Sequence, residues 1–183
     1  MASDNKQDIM SLAAQLGRFD GMPSALPPVE QWNPPLSGDM DMVIKADGRW
    51  VHEGDEIKRA KLVRLFSTIL KKEGAEFFLV TPVEKWRIQV EAAPFILVLT
   101  QLEHSSEERQ LIRGVTNVGD EVVLNASHSL QLVDGLPQVE VRHGLMAQLG
   151  RNVYYELAEL SEVRDGHFAV LSEGVWHPLG VVE

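Results

Sequence analysis

The sequence predicts an α+β fold made of duplicated β-α-β-β units with antiparallel sheets. Two segments, 57–72 and 144–160, carry apolar residues at helical spacing, whereas most of the remaining chain alternates in short runs typical of strands. Identical residues also recur in the two halves of the sequence at a constant offset of 90 residues. These pairs are Val63 with Val153, Leu70 with Leu160, Phe78 with Phe168, Val80 with Val170 and Trp86 with Trp176. Because the order of elements agrees with this offset, we predict that the unit of strand, helix, strand and strand is duplicated.

Residues 1–36 are predicted to form a short helix followed by a proline-rich segment. Apolar residues in 4–16 recur at i, i+3, i+4 and i+7, and they are Ile9, Leu12, Ala13 and Leu16. Residues 22–36 contain five of the nine prolines, so this stretch cannot join a central strand. We expect it to wrap the domain surface as an extended chain, fixed in place by Trp32.

Residues 37–92 are predicted to form an N-terminal ββαββ domain. Its first strand has acids on one face and apolar residues on the other, namely Asp39, Asp41, Met40, Met42 and Ile44. Asp47-Gly48 then favours a two-residue hairpin turn. A helix over 57–72 is predicted from its apolar stripe, and Gly74 fits its end. Strands over 77–81 and 85–90 complete the domain.

Residues 93–183 are predicted to form a C-terminal β-meander followed by a helix and a hairpin. The runs read as meander strands are 95–102, 110–115, 121–124, 130–133 and 139–141. Gly144 to Leu160 is predicted as a second long helix. Segments 167–171 and 175–179 are predicted to pair as the final hairpin.

Composition restricts the classes of function. The chain has no cysteine, so disulfides and thiolate chemistry are excluded, and the plain expectation is a cytoplasmic protein without a membrane span. A formal net charge of −10 disfavours binding of a nucleic acid polymer by counterion release. The helix 57–72 nevertheless concentrates six cations, Lys58, Arg59, Lys61, Arg64, Lys71 and Lys72. These fit either a solvated helix face or a local anion site.

Several strings of residues resemble a bacterial family of unknown function, DUF1285. They are Pro27–Trp32, Gly38–Ile44, Val63–Ser67, Leu79–Lys85, Glu91–Phe95, Leu124–His128 and Gly150–Tyr155. The likeness extends over nearly all of the chain after about residue 20. It implies a duplicated core, a C-terminal domain loosely similar to pleckstrin-homology folds, and a nucleotide-like ligand between the domains with a role in signalling.

The candidate catalytic motifs are weak. Asp39 and Asp41 are similar to the paired aspartates of haloacid-dehalogenase phosphotransferases, but they follow a proline-rich stretch rather than a buried strand, and they remain only weak candidates for a bound cation. The segment Gly114–Gly119 has the glycine spacing of a phosphate loop, yet Asp120 stands where a lysine is required. The six histidines lack metal-ligand spacing. The sequence identifies no cofactor.

Seven residues are the candidates for ligand binding: Arg64, Thr81, Lys85, Asn125, His128, Arg151 and Tyr154. The arginines and the lysine would supply charge to an anion, with Asp41 as the alternative partner for Arg64, and the others would supply hydrogen bonds. The alternative for Asn125 and His128 is a turn that satisfies its own backbone.

Three hypotheses follow from the sequence. The first is a ligand-binding or sensory module without catalysis, whose ligand is a phosphorylated or nucleotide-like small molecule lying between the halves. The second is a protein-interaction module that uses the basic helix or exposed strand edges. The third is an enzyme acting on a phosphorylated small molecule, with Asp39 and Asp41 holding a divalent ion.

Overall fold

A computed structural model describes residues 4–17, 25–104 and 109–183 of the chain. The chain divides into two compact units, Met1–Ala92 and Ala93–Glu183. Each unit contains a nine-residue helix followed by three antiparallel strands, and other strands precede this group. The predicted α+β class and the duplication are therefore confirmed.

The elements of the first unit are α1 (Asp4–Gly17), the 3-10 turn Val29–Gln31, β1 (Gly38–Ile44), β2 (Trp50–His52), β3 (Asp55–Glu56), α2 (Ala60–Thr68), β4 (Leu70–Glu73), β5 (Glu76–Val80) and β6 (Lys85–Val90). The elements of the second unit are β7 (Phe95–His104), β8 (Gln110–Thr116), β9 (Glu121–Val123), β10 (Leu130–Val133), β11 (Leu136–Arg142), β12 (Leu145–Leu149), α3 (Arg151–Glu159), β13 (Glu162–Arg164), β14 (His167–Ser172) and β15 (Val175–Val181).

The first unit is built on a six-stranded sheet in the order β3-β2-β1-β6-β5-β4. Strands β1 and β6 are parallel, and the other neighbours are antiparallel. The predicted alternation of β1 is confirmed, because Met40, Met42 and Ile44 are buried and the two aspartates are exposed. The hairpin at Asp47-Gly48 is also present, although residues 45–49 form its connection rather than two residues.

The proline-rich segment is fixed to this sheet over its described part. The Lys71 ammonium donates to the backbone carbonyl of Trp32 at 3.0 Å, and the Ser37 N–H donates to the carbonyl of Lys85 at 2.7 Å. Residues 18–24, including Pro23, lie outside the described part of the chain.

The predicted helix over 57–72 is too long. Helix α2 begins at Ala60 and ends at Thr68, and Leu70–Glu73 forms strand β4, which pairs with β5. At its end the hydroxyl groups of Ser67 and Thr68 donate to the carbonyls of Arg64 and Leu65, both at 2.6 Å. These hydroxyl-to-carbonyl bonds supply donors to carbonyl groups in the last turn of the helix.

The predicted helix over 144–160 is wrong in its first third. Leu145–Leu149 is strand β12, parallel to β7 and antiparallel to β11, and α3 begins only at Arg151. Gly150 separates the two elements and donates its N–H to the carbonyl of Leu97 at 2.8 Å. A Cβ at this position would lie only 2.7 Å from that oxygen, so the chain needs glycine here to turn from strand into helix.

The repeat itself differs from the prediction in one element. Helices α2 and α3 and the hairpins β5–β6 and β14–β15 lie close to the offset of 90 residues. A further strand, β4 or β13, follows each helix directly, so the repeated group is helix and three strands. Strand β4 was hidden because its first residue, Leu70, also continues the apolar stripe of the helix. Strand β13 has three residues and the sequence Glu-Val-Arg, which gives little alternation to recognise.

Two sheets make up the second unit, a six-stranded one in the order β10-β11-β12-β7-β8-β9 and a three-stranded one in the order β13-β14-β15. Buried polar side chains join them. The Ser172 hydroxyl accepts from the N–H of Ile112 at 2.9 Å and donates to the carbonyl of Leu124 at 2.6 Å. The N–H of Leu130 donates to Nδ1 of His177 at 3.2 Å.

The imidazole of His177 makes the stability of this unit dependent on pH. Burial lowers its pKa, because desolvation penalises the charged ring more than the carbonyl of Ser172 favours it. In the unfolded chain a histidine titrates near a pKa of about 6.5. We expect the stabilisation by neutral His177 to be complete above that pH and to be lost progressively as pH falls below it. Urea unfolding of the full chain at several pH values between neutral and mildly acidic checks this; a His177→Asn variant should show a weaker dependence.

Candidate functional site

Helix α2 is held on the sheet of the first unit by one aromatic contact. Phe66 is fully buried, and its ring stacks on that of Trp50 with the centroids 6.5 Å apart and the planes at 22°. The charged residues of the helix and of the two positions before it are exposed to solvent. This arrangement positions the candidate site.

Four cations, Lys58, Arg59, Lys61 and Arg64, form what we call the basic α2 surface. All four side chains are exposed, and none of them makes an ion pair with another residue in the described ranges 4–17, 25–104 and 109–183. Four like charges on one short surface repel each other and create a positive field on a chain whose net charge is −10. An anion bound there would relieve this repulsion.

A groove of about 540 Å³ lies within the basic α2 surface. It is lined by Arg59, Ala60, Lys61, Leu62 and Leu65. The groove thus combines two cations with the apolar side chains of two leucines. A ligand that carries both an anionic group and an apolar or aromatic part matches this lining.

The start of α2 has the wrong charges for its own stability. The first turn contains no acid, and no side chain caps its N–H groups. Acidic residues normally stabilise this end of a helix by about 0.3–1 kcal/mol each, whereas cations such as Lys61 are unfavourable there. The lack of a side-chain cap and the nearby cations therefore both favour an external anion at this end of the helix.

Lys71, which the sequence placed in the same basic patch, and Lys85 instead both pair with one acid. The Glu73 carboxylate lies 3.3 Å from the ammonium of Lys71 and 2.5 Å from that of Lys85. The hydrogen bond from Lys85 lowers the pKa of Glu73 most, with a further contribution from Lys71. The Lys85 ammonium also lies 4.4 Å from the ring centre of Phe78. Lys85 is therefore engaged within the fold.

Thr81 is buried and caps a turn. Its hydroxyl oxygen accepts from the N–H groups of Glu84 at 3.0 Å and Val83 at 3.3 Å.

The aspartates of β1 do not pair with Arg64. Asp39 accepts from the Arg87 guanidinium at 2.9 Å. Asp41 and Arg64 are both exposed, and no ion pair joins them. Of the candidates Arg64, Thr81 and Lys85, Arg64 is the one whose side chain is exposed to solvent without an ionic partner among the described residues.

In the second unit Asn125 and His128 lie together in one turn. The side-chain oxygen Oδ1 of Asn125 accepts from the N–H groups of Ser127 and His128, both at 2.9 Å, as in an Asx turn. The ring Nδ1 of His128 lies 2.8 Å from the carbonyl oxygen of Glu140. These contacts match the turn alternative considered for the two residues.

Arg151 and Tyr154 lie on consecutive turns of α3. The Arg151 guanidinium is 5.7 Å from the ring centre of Tyr155, and the rings of Tyr154 and Tyr155 meet edge to face at 6.0 Å. A Cβ on Gly180 would lie 3.8 Å from the hydroxyl of Tyr154, so this tyrosine covers β15. Arg151 is exposed and marks the second unit's counterpart of the basic α2 surface, with one arginine instead of four cations.

The groove was the part of the site that sequence reasoning missed. The sequence predicts the cations of the basic α2 surface as a group, whereas Leu62 and Leu65 belong to the apolar stripe from which the helix over 57–72 is predicted. In the fold both leucines are only half-buried. The three cations within residues 58–61 are the sequence feature that could have indicated this, because they favour exposure of this side of the helix.

Within the described part of the chain, no group of three or more histidine, aspartate or glutamate side chains could hold a metal ion. None of the described helices is long and apolar enough to cross a membrane.

Comparison with known proteins follows the division into two units. Residues 27–93 match the DUF1285 N-terminal domain, a domain of unknown function, and residues 94–179 match the DUF1285 C-terminal domain. The chain belongs to the DUF1285 family, as its motifs predicted. No curated protein matches it.

Two crystal structures of DUF1285 family proteins are similar to this chain. The protein from Silicibacter pomeroyi DSS-3 is 38% identical with a TM-score of 0.81, over 93% of this chain and 95% of that one. The protein from Shewanella baltica OS155 is 32% identical with a TM-score of 0.53, over 66% of this chain and 91% of that one. The family has no assigned function, so the activity is argued from the site alone.

Proposed function

We propose that the protein is a binding module for a phosphorylated small molecule, which it holds on the basic α2 surface without catalysing a reaction. One observation carries the proposal: four exposed cations lie together without ionic partners among the described residues, on a chain of net charge −10. Two of them, Arg59 and Lys61, line a groove together with two leucines. A role in sensing or signalling would follow from such reversible binding.

A nucleotide-like ligand fits the chemistry of this surface. One guanidinium group can donate two parallel hydrogen bonds to the oxygens of one phosphate, and Arg59 and Arg64 would bind the ligand in this way. An ammonium such as that of Lys61 would supply a point charge. The apolar side chains of Leu62 and Leu65 would contact the base. The surface lies wholly within the first unit, so the proposal requires no residue of the second.

Arg64→Ala is expected to weaken nucleotide binding at least tenfold while leaving the fold intact, because the Arg64 side chain is exposed. The measurement is titration calorimetry of the full chain with ATP and with cyclic AMP, supported by thermal shift. A nucleotide at 100 times its dissociation constant should stabilise the wild type by about 2.7 kcal/mol. Binding should also weaken as salt concentration rises, because exposed charges are screened.

Arg151→Ala is the matched control, since Arg151 is an exposed arginine on the equivalent helix of the second unit. It should bind as the wild type does. Equal losses in both variants would show a general effect of charge and would contradict a site on α2. Absence of saturable binding by any nucleotide in the wild type would contradict the proposed function itself.

A further inference from the structure

The basic α2 surface lies in a stretch of the chain without acids. Between Glu56 and Glu73 the sequence contains six cations and no aspartate or glutamate, although the whole chain has 27 acids. Two of the six, Lys71 and Lys72, lie on β4, where Lys71 pairs with Glu73. The other four form the basic α2 surface, and no ion pair within the described residues offsets their charge.

The number of these free cations indicates how much negative charge a ligand should carry. A phosphate monoester has a charge of about −1.5 to −2 at neutral pH, and a cyclic phosphodiester carries a single negative charge. Either ligand would leave at least two of the four cations without a counter-charge, so they would continue to repel each other. A chain of several phosphoryl groups supplies enough negative charge to match all four. The surface therefore favours a polyphosphate over a monophosphate.

The groove in this surface is poorly suited to a divalent ion. Mg²⁺ is usually held by one or two carboxylates together with the phosphates of the ligand. The side chains that line the groove include no carboxylate, and its two cations, Arg59 and Lys61, would repel the ion. A Mg²⁺ ion on the polyphosphate would also occupy phosphate oxygens and cancel charge that the cations could otherwise bind. The surface therefore favours the metal-free anion.

The apolar part of the groove suits a nucleobase without selecting which one. Its neutral side chains, those of Ala60, Leu62 and Leu65, present carbon atoms and no hydrogen-bonding group. Selection between ligands of similar shape depends on polar groups placed against them. Every base, in contrast, has a flat face that can contact apolar side chains. A nucleoside would therefore add affinity here, and adenine and guanine would be accepted alike.

We propose that the ligand of the basic α2 surface is a nucleoside polyphosphate, bound as the metal-free anion and with little preference between adenine and guanine. This inference rests on the proposed function, because it specifies the ligand of the same site. Arg59 and Lys61, which line the groove, bind the phosphoryl groups nearest the nucleoside. Lys58 and Arg64, which lie outside the lining, bind the others. The length of the phosphate chain is then the property that the surface recognises.

Titration calorimetry of the full chain in the presence of EDTA tests the order of affinities. ATP should bind roughly tenfold more tightly than AMP, with ADP between them, because each phosphoryl group adds charge. GTP should match ATP to within about threefold. Inorganic tripolyphosphate should bind more weakly than ATP, since it lacks the part that contacts Leu62 and Leu65. Equal affinities of AMP and ATP would overturn the inference and leave the proposed function in place, whereas no binding by any of these ligands would contradict both.

Excess Mg²⁺ provides a second test, with the ionic strength held constant by NaCl. It should weaken the binding of ATP by roughly fivefold, because the ion neutralises part of the triphosphate. The binding of AMP should hardly change, since a single phosphate holds Mg²⁺ weakly. Tighter binding of ATP in Mg²⁺ would show that the surface takes the metal complex, and the inference would be wrong.

Lys58→Ala tests whether the phosphate chain extends beyond the groove. Lys58 is exposed and does not line the groove, so its loss should weaken ATP binding roughly fivefold and AMP binding less than about twofold. Lys45→Ala is the matched control, because it removes the same charge from the same unit, where Lys45 pairs with Glu91 at 3.0 Å. It should leave both affinities unchanged. If Lys58→Ala weakens ATP and AMP binding equally, the surface recognises one phosphate only, and the inference falls.

Discussion

Replacing His177 with alanine is expected to lower the free energy of unfolding by about 3–5 kcal/mol. The imidazole is fully buried, so its removal leaves a cavity. It also removes the acceptor for the N–H of Leu130, which connects β10 to the three-stranded sheet. A buried N–H without an acceptor costs about 1–3 kcal/mol, and the remainder is the lost packing.

Urea unfolding of the full chain at neutral pH measures this loss. The control is His104→Ala, because His104 is exposed at the end of β7, and its change should stay within about 0.5 kcal/mol. A His177→Ala variant as stable as this control would show that the buried ring does not connect the sheets of the second unit.

Phe66→Ala is expected to destabilise the first unit by about 3–5 kcal/mol, because a fully buried aromatic ring that stacks on Trp50 is lost. The effect should extend to binding, since this ring fixes α2 and with it the basic α2 surface. The measurements are urea unfolding and, below the new melting temperature, the same nucleotide titration.

Val83→Ala provides the comparison for Phe66→Ala, because Val83 is 71% exposed in the same unit. It should change stability by no more than about 0.5 kcal/mol and leave binding unaltered. If Phe66→Ala binds nucleotide as tightly as the wild type, α2 does not carry the site.

The strands were predictable wherever alternation was the only pattern present. In β1 the period of two is clear, since exposed acids alternate with buried apolar side chains. In β4 and β12 it was hidden, because the same leucines also satisfy a helical period next to a true helix. The last turn of α2 contains a pair of hydroxyl-to-carbonyl bonds, and α3 is preceded by the close approach of Gly150 to Leu97. The first is a weak signal in a sequence, and the second depends on a partner some fifty residues away.

The candidate site was predictable in its charges but not in its partners. The cations near residue 60 are evident from the sequence alone. That Lys85 is engaged depends on Glu73, which comes within reach only because β5 and β6 fold back beside β4. The burial of Thr81 in a turn likewise follows from hydrogen bonds that its position in the sequence does not reveal.

The parallel strand pairs in the two large sheets determine when each sheet can be completed during synthesis of the chain. Strand β1 ends at Ile44, but its parallel partner β6 begins only at Lys85. Strand β7 likewise ends at His104, and its parallel partner β12 begins only at Leu145. At a translation rate of about 5–20 residues per second, β1 would remain without that neighbour for roughly 2–8 s after it is made. During that interval Met40, Met42 and Ile44 have no completed sheet in which to bury. The ribosome-bound chain is therefore most vulnerable to aggregation just before β6 and then β12 are completed.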